Sequence, residues 1–92
     1  MFVYKKSYDF YTDPGHGWLE VPRVELESLG IDDKITSCSY EDKDLVYLEE
    51  DCDMTTFFEA YKKKLGCDPL YTYINEPVEE SFVRSLNHYV CD

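Results

Sequence analysis

The first part of the chain follows an alternating pattern that predicts a β-hairpin. Over residues 2–12, successive positions fall on opposite faces of a strand, and aromatic side chains that favour β-structure dominate. Residues 13–17 combine a proline with two glycines and suit a turn. Residues 18–21 then return as a short strand and complete the hairpin.

A short helix and a second hairpin are predicted next. Pro22 suits the first turn of a helix, and Gly30 suits its C-terminal end after about two turns. Residues 34–40 and 45–48 are β-prone and enclose a polar turn at residues 41–44. These features predict a helix that is followed by two antiparallel strands.

The second half of the chain predicts a helix, a strand and a last helix. Asp51 or Asp53 caps the first of these helices, with a capping box at Thr56 and Glu59 as an alternative, and Gly66 ends it. Residues 70–74 form a strand, and Asn75 caps the last helix. The apolar stripe of that last helix consists of Val78, Phe82, Leu86 and Tyr89.

The predicted element order is β-β-α-β-β-α-β-α. Strands joined by short turns pair mainly in the antiparallel sense, and helices cover a face of such a sheet. The sequence therefore predicts an α+β fold. We expect a single domain over residues 1–92, with a mainly antiparallel sheet of about five strands and two to three helices packed on it.

The net charge argues against direct binding to nucleic acid. The chain of 92 residues carries 20 acidic and 9 basic side chains, a formal net charge of -11. Direct binding to a nucleic-acid backbone needs a cationic surface, so we expect none. No apolar run is long enough to span a membrane, and the first residues lack a signal peptide's apolar core. We therefore expect a cytoplasmic protein without membrane contact.

The cysteines favour neither a metal site nor catalysis. They are Cys38, Cys52, Cys67 and Cys91. They form no C-x-x-C pair, and neither histidine has a zinc-finger spacing, so we expect no metal and no cofactor. Two disulfides remain an alternative, but free thiols that are buried or partly buried are favoured in a reducing compartment. Acids that flank Cys52 are expected to raise the pKa of its thiol.

Residues 41–53, EDKDLVYLEEDCD, are the most acidic segment, and we call them the acidic stretch. Seven acids and one lysine give it a local charge of -6. One interpretation is a solvated turn followed by acids at a helix N-terminus. The other is an electronegative docking surface, because alternate carboxylates on a strand are spaced much like successive phosphates. The candidate partner-binding residues are Asp42, Asp44, Tyr47, Glu49, Glu50, Asp51 and Asp53.

Three functional hypotheses follow from these features. The favoured one is a non-enzymatic inhibitor that docks the acidic stretch onto a basic protein that normally binds nucleic acid. The second is a small enzyme or ligand-binding domain organised around His16, Trp18 and Glu20. The third is a structural domain that forms a homodimer through a tyrosine-rich sheet. The sequence has no nucleophile elbow, P-loop or dinucleotide fingerprint, so enzymatic activity is not expected.

Two segments of the chain carry a resemblance to a group of proteins. Residues 15–31, GHGWLEVPRVELESLGI, and residues 39–53, SYEDKDLVYLEEDCD, resemble small acidic proteins encoded by phages and other mobile elements. That resemblance implies an inhibitor of host defence, of the anti-CRISPR or anti-restriction type, in some cases a DNA mimic. It implies no catalytic residue. The lysines at residues 62–64 depart from a uniformly acidic mimic.

Overall fold

The computed structural model describes residues 3–75 and 79–91. This part of the chain contains six strands: β1 Ser7–Thr12, β2 Gly17–Pro22, β3 Tyr40–Asp42, β4 Leu45–Glu49, β5 Leu70–Asn75 and β6 Asn87–His88. It also contains the helices α1 Arg23–Ser28 and α2 Met54–Leu65 and the single-turn 3-10 helices Asp32–Lys34 and Phe82–Ser85. The strand order in the sheet is β5-β1-β2-β4-β3-β6. The α+β class is therefore confirmed.

The sheet is mixed and has six strands, whereas a mainly antiparallel sheet of about five was predicted. β1 pairs in the antiparallel sense with β2, where Tyr11 is opposite Trp18. On its other side β1 pairs in the parallel sense with β5, where Phe10 is opposite Tyr73. The parallel pair follows from α2, which returns the chain to the end of the sheet where β1 begins.

The two faces of the sheet carry separate apolar clusters. On one face the strands pack against α1 and α2, whose Leu26 and Phe57 are buried. On the other face Trp18 is buried with Val83 of the second 3-10 helix. Successive side chains on a strand point to opposite faces, which explains why Trp18 and Leu19 belong to different clusters.

The predicted last helix does not form in the residues that the structure describes. Phe82–Ser85 is a 3-10 helix, and Asn87–His88 form β6, which pairs with β3. Leu86 packs on one face of the sheet, whereas Tyr89 is buried on the other. Side chains that serve opposite faces cannot share one side of a helix, so the apolar stripe was misleading. Val78, its first member, lies outside the described residues.

The second hairpin also differs from its prediction, because β3 begins only at Tyr40. The preceding residues form a loop that hydrogen bonds to a distant carboxylate. The backbone N–H of Thr36 donates to Asp53 at 3.1 Å, and the hydroxyl of Ser39 donates to the same carboxylate at 2.5 Å. These bonds replace the strand pairing that the β-prone composition predicts.

The helix α2 agrees with its prediction at its C-terminal end. Gly66 has a φ of 82°, in the left-handed region, and its N–H donates to the carbonyl of Lys62 at 2.8 Å. This is the geometry in which glycine ends a helix. Within residues 3–75 and 79–91, neither α2 nor any other helix has the length and apolar character needed to cross a bilayer.

We expect Gly66→Ala to lower the free energy of unfolding by about 1 kcal/mol. A Cβ at this position meets no atom within 4 Å, so the loss comes from backbone conformation alone. Urea denaturation measures it. Gly66→Asn is the matched control and should recover part of the loss, because asparagine tolerates the left-handed region. Equal losses for both variants would contradict a conformational cause.

Candidate functional site

The strand directions gather acidic residues at one end of the sheet. β1 ends and β2 begins there, and β4 ends beside β2 with Glu49 opposite Trp18. The backbone N–H of Ser81 donates to Asp13 in the β1–β2 turn and brings the adjacent Glu79 and Glu80 to the same end. The exposed acidic side chains of this end, which we call the acidic end, are Glu50, Asp51, Glu79 and Glu80.

Lysines occupy the opposite end of the molecule. Lys5 and Lys6 precede β1, and three lysines at residues 62–64 form the last turn of α2. α2 follows β4 at the acidic end and runs back to the end where β1 begins. The negative pole of its dipole favours the lysines there. The molecule is therefore electrically polarised along its strands.

The acidic stretch is divided by β4 and does not form one face. Asp42 and Asp44 are exposed at the start of β4, whereas Glu50 and Asp51 follow its last residue. The five residues of β4 separate these pairs by roughly 16 Å. Near the first pair, the guanidinium of Arg23 donates to Glu41 and to the Lys43 carbonyl. Only the second pair belongs to the acidic end.

Asp53 is a structural residue and not a surface contact, which corrects its predicted role. Its side chain is buried, and its carboxylate accepts hydrogen bonds from the N–H and hydroxyl of Thr36 and from the hydroxyl of Ser39. Ser39 in turn accepts a hydrogen bond from the N–H of Glu49 at 3.0 Å. Asp53 thus joins the start of α2 to the loop before β3.

Tyr47 and Glu20 form a pair of their own on the sheet. The two residues are opposite each other on β4 and β2, and the Tyr47 hydroxyl donates to Glu20 Oε2 at 2.9 Å. Burial and this carboxylate raise the pKa of Tyr47 well above its usual range. Tyr47 is therefore unavailable to a partner at the surface, and Glu20 does not join the residues around His16, in contrast to both predictions.

A pocket of about 360 Å³ lies at the acidic end, and we call it the His16 pocket. Its lining residues are His16, Trp18, Cys38, Tyr40, Glu49, Asp51, Cys52 and Arg84. His16 and Trp18, which the sequence suggested as a secondary site, are thus neighbours of two predicted docking acids. The sequence alone placed these acids in a separate surface.

The β1–β2 turn fixes His16 at the rim of this pocket. The Asp13 carboxylate accepts hydrogen bonds from the backbone N–H groups of Gly15 and His16, at 2.9 and 3.0 Å. Arg84 Nε also donates to Asp13, at 2.6 Å, and the guanidinium lies over the Trp18 ring. These donors hold the pKa of Asp13 well below its usual range, with Arg84 as the main cause.

Glu49 lies inside the His16 pocket as a buried carboxylate. His16 Nδ1 is 3.3 Å from Glu49 Oε2, and the backbone N–H of Asp51 donates to Glu49 Oε1 at 3.1 Å. Only 8% of its side chain is exposed, so Glu49 can bind a group that enters the pocket but does not face a flat protein surface. The carboxylate of exposed Asp51 lies beside it.

The Cys52 thiol is not a nucleophile in this pocket. Hydrogen bonding to Cys38, followed by hydrogen bonding to Glu49, raises the pKa of Cys52 to about 12. A raised pKa agrees with the prediction. Its main cause is hydrogen bonding to Cys38, which is distant in sequence, and not only the charge of the flanking acids. All four cysteines are free and exposed, whereas buried or partly buried thiols were expected.

The arrangement combines an imidazole, two carboxylates and two thiols around an indole. Such groups can bind a cation or a basic side chain, but they lack an activated nucleophile. The contact of His16 with Glu49 depends on the pairing of β2 with β4, and that of Arg84 with Asp13 crosses most of the chain. No spacing in the sequence signals either contact. No family model, curated protein or solved structure matches the chain.

Proposed function

We propose that this protein is a non-enzymatic binding protein that docks its acidic end onto a basic protein. The observation that carries the proposal is the polarisation of charge. Glu50, Asp51, Glu79 and Glu80 are exposed at the acidic end. The arginine of this end, Arg84, is engaged by Asp13, and the described lysines lie elsewhere. A cationic protein is therefore attracted more strongly to this end than to the other, where lysines lie on the same end as Asp42 and Asp44.

The chemistry of the partner follows from the carboxylates. A surface that normally holds phosphates carries lysine and arginine side chains, and exposed carboxylates offer these side chains the same charge-assisted hydrogen bonds. We therefore propose a nucleic-acid-binding protein as the partner, in line with the host-defence setting that the resemblance implies. Long-range attraction of this kind acts mainly on the rate of association.

The absence of an activated nucleophile in the described residues of the His16 pocket supports a binding role over an enzymatic one. The Cys52 thiol keeps its proton at neutral pH, because Cys38 and Glu49 raise its pKa to about 12. His16 lies beside Glu49, where it could act as a base. Among the residues that line the pocket, the hydroxyl group is that of Tyr40, whose ring packs against Trp18.

The test compares two double variants that each remove two negative charges. Glu50→Gln with Glu80→Gln removes two of the four exposed charges of the acidic end, and Asp42→Asn with Asp44→Asn removes two charges at the far end of β4. We expect the first pair to slow association about 3–10-fold at low salt, and the second to change it less than about 2-fold. Surface plasmon resonance gives the association rate with a partner recovered from a host lysate.

Salt provides the control on mechanism for this prediction. Raising the ionic strength to about 1 M shortens the Debye length to about 3 Å and should remove the difference between the variants. Equal slowing by both pairs at low salt would mean that net charge matters and the acidic end does not. An unchanged rate for the Glu50 and Glu80 pair would refute docking through this end.

A further inference from the structure

We propose that the His16 pocket binds a zinc ion through His16, Glu49 and Asp51. The three ligand atoms, an imidazole nitrogen and one oxygen of each carboxylate, all lie within 4.8 Å of one another. His16 Nδ1 and Glu49 Oε2 are already 3.3 Å apart. Ligands about 2.1 Å from a tetrahedral zinc ion are about 3.4 Å apart, so one edge of the site has the required length.

The other two distances between ligand atoms can shorten to the spacing around zinc by rotation of exposed side chains. His16 and Asp51 are exposed, and side-chain rotation brings their ligand atoms closer to Glu49. Glu49 is buried and accepts a hydrogen bond from the backbone of Asp51, so it is the fixed member of the set. A zinc ion at this position connects the β1–β2 turn to the end of β4.

The types of ligand favour zinc over the hard cations. Mg²⁺ and Ca²⁺ prefer sites made entirely of oxygen, whereas zinc accepts imidazole nitrogen, carboxylate oxygen and thiolate sulfur. Cys38 and Cys52 line the same pocket, and the Cys52 thiol hydrogen bonds to Glu49. The pocket therefore combines imidazole, carboxylate and thiol groups, the side-chain types that occur in zinc sites.

The electrostatics of the pocket leave its carboxylates without a strong cation. Among the described residues, Glu49 forms an ion-pair contact with His16, and Asp51 forms none. Arg84 also lines the pocket, but its guanidinium donates to Asp13. A divalent cation would compensate both carboxylates at once.

The indole of Trp18 carries a buried donor at the wall of the same pocket. Trp18 is 2% exposed and lines the pocket, and its Nε1–H is a buried donor without a partner in residues 3–75 and 79–91. Buried donors are nearly always satisfied, so this one calls for an acceptor.

The experiment is a calorimetric titration of the metal-free chain with ZnCl₂. We expect one zinc ion per chain, and at least about 10-fold weaker binding for His16→Ala and for Asp51→Asn. Both variants change exposed side chains, and circular dichroism verifies their folding. Glu50→Gln, which removes a neighbouring exposed charge outside the pocket, is the matched control and should bind zinc within about 2-fold of the original chain.

Two further measurements make the assignment specific. Trp18 is the only tryptophan of the chain, so its fluorescence should change on zinc binding in the original chain and remain constant in His16→Ala. MgCl₂ in excess should not displace the zinc. Zinc binding that survives in His16→Ala and is abolished by Cys38→Ser with Cys52→Ser would overturn the proposal, as would displacement by Mg²⁺. The zinc site stands whether or not the acidic end docks a protein, because no partner is present in the titration.

Discussion

Asp53→Ala will lower the free energy of unfolding by about 3 kcal/mol, the largest effect that we expect from a single acidic residue. Asp53 is 1% exposed, and its carboxylate accepts from three donors: the backbone N–H of Thr36, the hydroxyl of Thr36 and the hydroxyl of Ser39. Alanine leaves the buried hydroxyl of Ser39 and the partly buried donors of Thr36 without this acceptor, and an unsatisfied buried group costs about 1–3 kcal/mol.

Urea denaturation of three variants tests the role of Asp53. Asp53→Asn retains one oxygen acceptor and should cost less than Asp53→Ala. Asp51→Ala removes an exposed acid two positions away and should stay within about 0.5 kcal/mol of the original chain. A docking role for Asp53 makes the opposite prediction, in which Asp53→Ala weakens partner binding and leaves stability unchanged.

Asp13→Asn will lower the free energy of unfolding by about 2 kcal/mol at neutral pH. The Asp13 side chain is 1% exposed, and its carboxylate accepts from Arg84 Nε at 2.6 Å and from the N–H of Ser81 at 3.0 Å. The neutral amide loses the ion pair and one acceptor oxygen. Because Arg84 and Ser81 belong to the segment around the second 3-10 helix, that segment should detach first.

The effect of Asp13→Asn should depend on pH with a definite sign. The folded protein holds the pKa of Asp13 well below its usual range, so the stability that Asp13 contributes is fully present above about pH 4 and is lost as the pH falls. The difference between the original chain and Asp13→Asn should therefore be largest at pH 5–7 and shrink toward pH 2. Urea midpoints over this range measure it, and a difference independent of pH would contradict an ionised Asp13.

The elements that could be predicted from the sequence are those with local signals. α2 ends at Gly66 because a glycine that follows an apolar helical face is sufficient to end a helix there. The last helix was predicted from a cap residue, Asn75, and from the spacing of apolar residues, and the described residues form a 3-10 helix and β6 instead. Ser81 accepts a hydrogen bond from the N–H of Val83 and starts a 3-10 helix, and Tyr89 then donates its N–H to the carbonyl of Ser39 across the sheet. Such long-range bonds leave no mark in a single sequence.

The candidate site was also predicted only where the sequence gives a local signal. The density of acids in residues 41–53 was visible, but their burial was not, because it depends on which strand becomes the neighbour of β4. Register places Glu49 opposite Trp18 and Glu20 opposite Tyr47. That pairing makes Glu49 the partner of His16 and leaves Glu20 elsewhere. The sequence of the β1–β2 turn alone does not indicate whether Glu20 or Glu49 lies beside His16.

The parallel pairing of β1 with β5 has a consequence for how the chain folds. β1 meets β2 across a short turn, but it meets β5, in the register of Ser7 with Leu70, only after most of the chain has been synthesised and ordered. Closing so long a loop is entropically costly and slow compared with forming a hairpin. Until β5 docks, one edge of β1 and the aromatic ring of Phe10 stay uncovered. Refolding at high protein concentration should therefore compete with strand pairing between chains at that edge.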